Sequence, residues 1–358
     1  MTANADPGCE VARHNLEHHR RRARELLRAA RAAEPDAWAR LAPHVPPRRR
    51  TQSAAGARLA DAQRAIAREA GFANWAQLKD YGLFQRAVAA FDAGNGEELA
   101  ALLDDRPSLV RYRCRHGEWY EAGYFAGATL LEHVAGNPDR GLLPGNVVEL
   151  ARLILARKPD KDVMERTLGL LLTSRRASEA GVALPLADLL AAAGAPFDPH
   201  AVDLLSLPLL NVAPATATAL AARGATVDLR HAAGLGDVAA MEPLLAAAPA
   251  LLEEALAFAC IRGQTPAAEW LVRHGARGDV LVAPGSTTPR TALHDAANRG
   301  HRQIVELLLA AGADCTVVEP HWGGTAAGWA AAGGHGELAE ILRHAETALR
   351  RSESQRST

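Results

Sequence analysis

The stretch Thr291 to Asp314 reads TALHDAANRGHRQIVELLLAAGAD, and a second stretch from Thr325 reads TAAGWAAAGGHGELAEILRHA. A shift of 34 residues lays Thr291 on Thr325, Gly300 on Gly334, His301 on His335, Ile304 on Leu338 and Leu308 on Leu342. One unit can be read from its chemistry. Thr291 is placed to cap a helix, its hydroxyl accepting a backbone N–H that the first turn leaves free. Leu293, Ala296 and Ala297 give that helix a small apolar face. Gly300 breaks it, because the turn that follows needs positive φ. Ile304, Val305, Leu307 and Leu308 then recur at helical spacing, and Gly312 stops the second helix. A helix pair this thin cannot bury both faces alone, so it must stack on copies of itself.

The pattern resembles the ankyrin repeat, whose signature runs T-P-L-H-x-A-A, then G-H, then I-V-x-x-L-L, then G-A-D. Here Ala292 stands where that signature has proline. The resemblance implies structural roles for Thr291, Leu293, His294, Gly300, Gly312, Thr325 and Gly334, with His294 tying neighbouring repeats together. Weaker copies precede it. Leu256 to Gly275 turns at Gly263, and residues 229–248 turn at Gly236, with Pro243 predicting a kink or a late start in the second helix. Residues 199–228, 162–198, 124–161 and 83–110 complete an expected array. The phrases ATLLEHVAGN, NVVELARLILARKPD and TSRRASEAGVALPLADLLAAAGA are similar to parts of a bacterial ankyrin-containing family of unassigned activity. The fold expected is therefore an all-α ankyrin-repeat solenoid of about eight helix-turn-helix units over 83–347. An N-terminal helical cap (51–82) would precede it and a disordered tail (348–358) would follow.

Composition agrees with a helical protein: 48% of residues are hydrophobic, only 4% are aromatic, and Ala and Leu dominate. The formal net charge of −1 is unevenly spread. Residues 1–80 carry 15 Lys/Arg against 9 Asp/Glu, a net of +6. Residues 1–50 read as a basic helical extension and linker, with Val11 to Ala33 as its helix and Pro43, Pro46 and Pro47 beside Arg48 to Arg50 as the linker. Its arginines (Arg20, Arg21, Arg22, Arg24, Arg28, Arg31 and Arg48 to Arg50) raise a nucleic-acid-associated regulator as an alternative function. No nucleic-acid-binding motif accompanies them, so nucleic acid is not the expected partner. The LADAQ…IAREAGFANWAQLK stretch is similar to a helical segment found ahead of bacterial ankyrin arrays and reads as a solenoid cap.

Four dispersed cysteines indicate neither a disulfide framework nor a zinc site, in keeping with a reducing cytoplasm. The first twenty residues lack the apolar run of a signal peptide, and residues 204–222 are interrupted by Pro208 and Pro214, so no membrane span is expected. His14 and His18 share a helix face without an HExxH order, so no metal is expected. Gly234, Gly236 and Ala239 superficially match a dinucleotide fingerprint but fall between helices. Nothing assembles a nucleophile, base and orienter, so neither an enzyme nor a cofactor is expected; an enzyme with an unrecognised site is the remaining alternative.

The expected function is a protein-protein interaction module, a monomeric cytoplasmic scaffold or adaptor for an unidentified protein. Three regions carry it. The insertion 111–128 gathers Tyr112, Trp119, Tyr120, Tyr124 and Phe125 beside Arg111, Arg113 and Arg115, residue types enriched at binding hot spots, although the same rings could simply pack on the helices. The loop 278–290 is lengthened, and His321 and Trp322 form a third loop tip. In ankyrin proteins partners contact loop tips and inner helices, so the resemblance places these regions along one concave edge. The candidate partner-binding residues are Arg113, Trp119, Tyr120, Tyr124, His321 and Trp322.

Overall fold

The computed structural model describes residues 16–50, 54–121, 125–136, 141–198, 203–211, 213–286 and 288–356. His14 lies outside them. Helices α1 (Leu16–Arg31), α2 (Pro35–Leu41), α3 (Pro47–Arg50) and α4 (Leu59–Glu69) open the chain. Ala23, Leu26 and Ala30 fall on one face of α1 and share a core with Ala37, Leu41, Val45, Ala57, Ala62, Ala65 and Ile66. The basic extension and the expected cap are thus built around a common core. The stretch read as a linker is ordered within it. Arg49 grips the buried Asp61 through two hydrogen bonds, 2.8 and 3.0 Å, and Arg50 donates to the Val45 carbonyl at 3.0 Å. Arg22 and Arg40 both converge on Glu69.

Next come α5 (Trp75–Asp92) and α6 (Gly96–Asp105), capped by the side chains of Asn74 and Asn95. The boundary expected between 82 and 83 therefore falls inside one continuous helix. A short α7 (Glu118–Glu121), a 3-10 turn over Leu131–Ala135, α8 (Val147–Leu155) and α9 (Lys161–Thr173) follow. The chain divides into two compact units, 1–164 and 165–358, with the division inside α9, so the stretch 83–347 is shared between two bodies.

The second unit continues with α10 (Arg175–Glu179), α11 (Ala183–Ala192), α12 (Ser206–Leu210) and α13 (Pro214–Ala222). It then settles into helix pairs: α14 (Leu229–Leu235) with α15 (Val238–Ala247), and α16 (Leu252–Arg262) with α17 (Thr265–Arg273). After a hairpin of β1 (Leu281–Val282) and β2 (Arg290–Thr291), α18 (Ala292–Asn298) pairs with α19 (Arg302–Ala310), and α20 (Ala326–Ala332) with α21 (Gly336–Arg356). The hairpin is the one departure from all-α among the described residues. α15 starts on time, capped by Asp237, and runs through Pro243. The tail is helical to Arg356, because Ala345 and Leu349 still pack on the core.

The first helices of the pairs (α14, α16, α18 and α20) pack side by side as an inner layer, and α15, α17, α19 and α21 back them. One core runs through all eight, rich in alanine where helices approach closely. The joint between pairs depends on glycine. Gly263 and Gly300 have φ of 69° and 71°, and a Cβ on either would come within 2.6 Å of the His301 or His335 ring. Only a residue without a side chain satisfies both demands.

Candidate partner-binding surface

Two loops project from the N-terminal ends of the inner helices α18 and α20. The first contains the β1–β2 hairpin, with Leu281 opposite Thr291 and Val282 opposite Arg290. The second runs from Ala313 to Thr325. Asp279 of the first accepts the backbone N–H of Asp314 in the second at 3.2 Å. His294 adds another tie. Its backbone N–H donates to Thr291 Oγ1 at 3.3 Å, the Thr291 hydroxyl lies 2.6 Å from Nδ1, and Nε2 donates to the Gly324 carbonyl at 3.1 Å. Burial lowers the pKa of His294, which favours the neutral ring that this arrangement uses. Leu293 is buried beside it, and Gly312 and Gly334 turn with φ of 85° and 84°. Thr325 has the extended backbone of a cap without a side-chain cap bond.

The second loop is organised by Glu319, a residue with no solvent exposure. Its carboxylate accepts the backbone N–H of Trp322 at 2.7 Å, of His321 at 2.8 Å and of Gly324 at 3.2 Å. Burial works against ionisation here, but the three N–H groups prevail and hold the carboxyl below its usual pKa. The knot fixes the loop tip. Trp322 stands 68% exposed, edge-on to His321 at 4.6 Å and to Trp329 at 5.7 Å between ring centroids. Leu281 and Val318 are 45% and 50% exposed. Among the described residues, half of the large hydrophobic side chains that stand exposed therefore sit on these two loops. Sequence reasoning singled out His321 and Trp322 but missed Leu281, Val318 and Glu319. The available signal was an acidic residue ahead of Pro320 and the pair Gly323–Gly324.

The 111–128 insertion is placed differently. Tyr120 is 3% exposed, its hydroxyl 3.2 Å from His133 Nε2. Phe125 stacks on His133 at 5.0 Å, and Tyr112 packs on Phe84 at 5.2 Å. Arg113 holds Asp162 at 2.5 Å and Arg111 holds Asp160 at 2.9 Å. The Trp119 side chain and all of Tyr124 lie outside the described residues. The described rings of the insertion are thus turned inward, so Tyr120 offers a partner almost no surface. Burial pushes the Cys114 thiol up to about 12, which leaves it a poor nucleophile. A nearby cavity of about 160 Å³ beside Phe91, Phe125 and His133 is smaller than the roughly 300–1,000 Å³ usual for ligand pockets.

Asp203, Asp228 and His231 bring ligand atoms within 4.8 Å of one another. The Arg230 guanidinium already pairs with both carboxylates, so a cation there would have to displace it.

Residues 229–319 match the family model for ankyrin repeats (3 copies). The match covers a quarter of the chain and takes in α14 to α19 with both of their loops up to Glu319. Ankyrin repeats are generally protein-protein interaction modules and typically non-catalytic. A comparison with curated proteins returns no match. Beyond the matched ankyrin stretch, α20 and α21 repeat the same packing in the register that the 34-residue shift sets. No helix among the described residues is long and apolar enough to cross a membrane.

Proposed function

We propose that the chain is a cytoplasmic, monomeric scaffold or adaptor. It binds another protein through the loops 276–291 and 313–325 of its ankyrin stretch. The observation that carries this reading is Trp322: a large ring, mostly in solvent, at the tip of a loop fixed by three hydrogen bonds to one buried carboxylate. A rigid, exposed aromatic loses little entropy on binding and suits a hot spot. Leu281 and Val318 extend the apolar patch, and a partner seated there would bury about 1,200–2,000 Å² in all. Residues 83–228 belong to this reading as degenerate units of an array of about eight. The basic N-terminal helices serve as its cap rather than as a nucleic-acid site, which agrees with Arg22, Arg40 and Arg49 already holding carboxylates.

The test is capture from the native cell extract with tagged wild-type chain beside the Trp322→Ala and Val318→Ser variants. A protein retained by wild type and lost from both variants, with helicity unchanged, supports the reading. Equal retention by all three refutes it.

A further inference from the structure

The inner face of α14, α16 and α18 is crossed by another part of the second unit. Residues 203–211 lie over it as a strap, with α12 packed on its successor α13, on α14, on α16 and on the 3-10 turn Pro284–Ser286 of the first loop. Four anchors hold the strap. Asp203 pairs with Arg230, whose side chain is 12% exposed and also bonds Asp228 at 2.6 Å. Ser206 Oγ and His231 Nε2 share a hydrogen bond of 2.9 Å. Leu209 is fully buried against Gly234, where an added Cβ would meet Leu209 Cδ1 at 3.2 Å. Leu210 rests on Gly285, and its carbonyl accepts from Arg299 Nη2 at 3.3 Å.

A regular inner helix contacts only the next one along. α12 instead reaches past α14 to α16, and the strap's end reaches α18. It pairs with α13 as the first helix of a repeat does, but the reach to α16 and α18 is that of a peptide laid across the inner face. Its own stability is small: five helical residues containing Pro208 cannot sustain a helix alone, and Asp203 adopts φ of 68°, disfavoured for a residue with a Cβ. Beneath its C-terminal end lie two half-buried cations, Arg262 and Arg299. Arg262 Nε is buried without a hydrogen-bond partner; Arg299 donates to a neutral carbonyl of the strap, and the Asp295 carboxylate supports its charge only through space. A carboxylate in that place would form the stronger, charge-assisted pairing.

We propose that residues 203–211 are a built-in, displaceable ligand of the inner face, and that a partner peptide carrying two adjacent leucines followed by a carboxylate takes their place. The proposal is independent of the reading given to Trp322. Tethering gives the strap an effective concentration on the order of millimolar, which holds off a free competitor until an anchor is weakened.

The probe is a fluorescein-labelled peptide of sequence DLLSLPLL (residues 203–210), whose free C-terminal carboxylate falls on Leu210 where Arg299 now meets a carbonyl, titrated by fluorescence anisotropy into the full chain. Against wild type, the Asp203→Ala/Ser206→Ala variant is expected to bind it at least tenfold more tightly. Adding Arg262→Gln and Arg299→Gln abolishes the gain, while Trp322→Ala leaves it untouched. Equal affinity for wild type and the double variant, or binding to neither, overturns the proposal. Hydrogen exchange on the wild-type chain guards against a misfolded variant. Amides of 203–211 must exchange through an opening that leaves α16 and α18 protected; if all three exchange together, the strap is part of the core and the proposal fails.

Discussion

Asp295 lies in the middle of α18, 4% exposed, at a place where the neighbouring repeats are apolar. Arg290 reaches in from β2 and donates to Oδ1 at 2.6 Å, while Oδ2 has no hydrogen-bond partner. Burial raises its pKa to about 6 although Arg290 opposes the shift. An unfolded aspartate titrates near 3.9, so the folded state binds the proton more tightly than the unfolded one. The stabilisation is fully present below about pH 4 and is lost as pH rises through 6. A displacement of about two pH units corresponds to about 3 kcal/mol. Asp295→Asn keeps the shape and removes the titration. Urea unfolding of both proteins between pH 4 and pH 7.5, followed through tryptophan fluorescence, should show the variant gaining about 3 kcal/mol on wild type across that window. A stability gap independent of pH would refute the argument, because it would mean that the carboxyl is solvated or fully paired.

Leu308, fully buried between stacked helices, should not tolerate charge: Leu308→Asp is expected to cost about 3 kcal/mol or more, read as a fall in Tm. Glu319→Ala removes the acceptor of three N–H groups, so the Trp322 loop should lose order, seen as faster hydrogen exchange at residues 321–324 with helicity retained. Tyr120→Phe deletes one buried hydrogen bond and should cost about 1 kcal/mol in urea unfolding without altering partner capture.

The repeat physics was legible because it is local. The Thr291 cap, the turn at Gly300 and the apolar spacing of Ile304, Val305 and Leu308 each follow from residue type and interval, and each stands in the structure as expected. What was not legible depends on where distant segments meet. Arg49 reads as part of a proline-rich basic linker until its partner is known to be Asp61. The aromatics of 111–128 read equally well as a binding patch or as packing, and only the placement of His133 and Phe84 turns Tyr120 and Tyr112 inward. Residues 199–228 look like one more degenerate repeat, since they end in RGATVD with Gly224 in the place of the repeat's terminal glycine. Pro208, the bond to His231 and the reach to Arg299 instead make a strap of their first half. Glu319 escaped notice because a lone acidic residue in a loop ordinarily means solvent, and its burial depends on the backbone path that Gly323 and Gly324 permit.

The central claim is that the loop tip bearing Trp322 touches another protein. Replacing His321, its exposed neighbour, by the photo-crosslinking residue p-benzoylphenylalanine and irradiating the chain in its own cell extract tests this most directly. The account predicts a discrete cross-linked product that disappears when Trp322→Ala is introduced alongside. A chain that yields no cross-link at 321, or one that Trp322→Ala leaves undiminished, would contradict it.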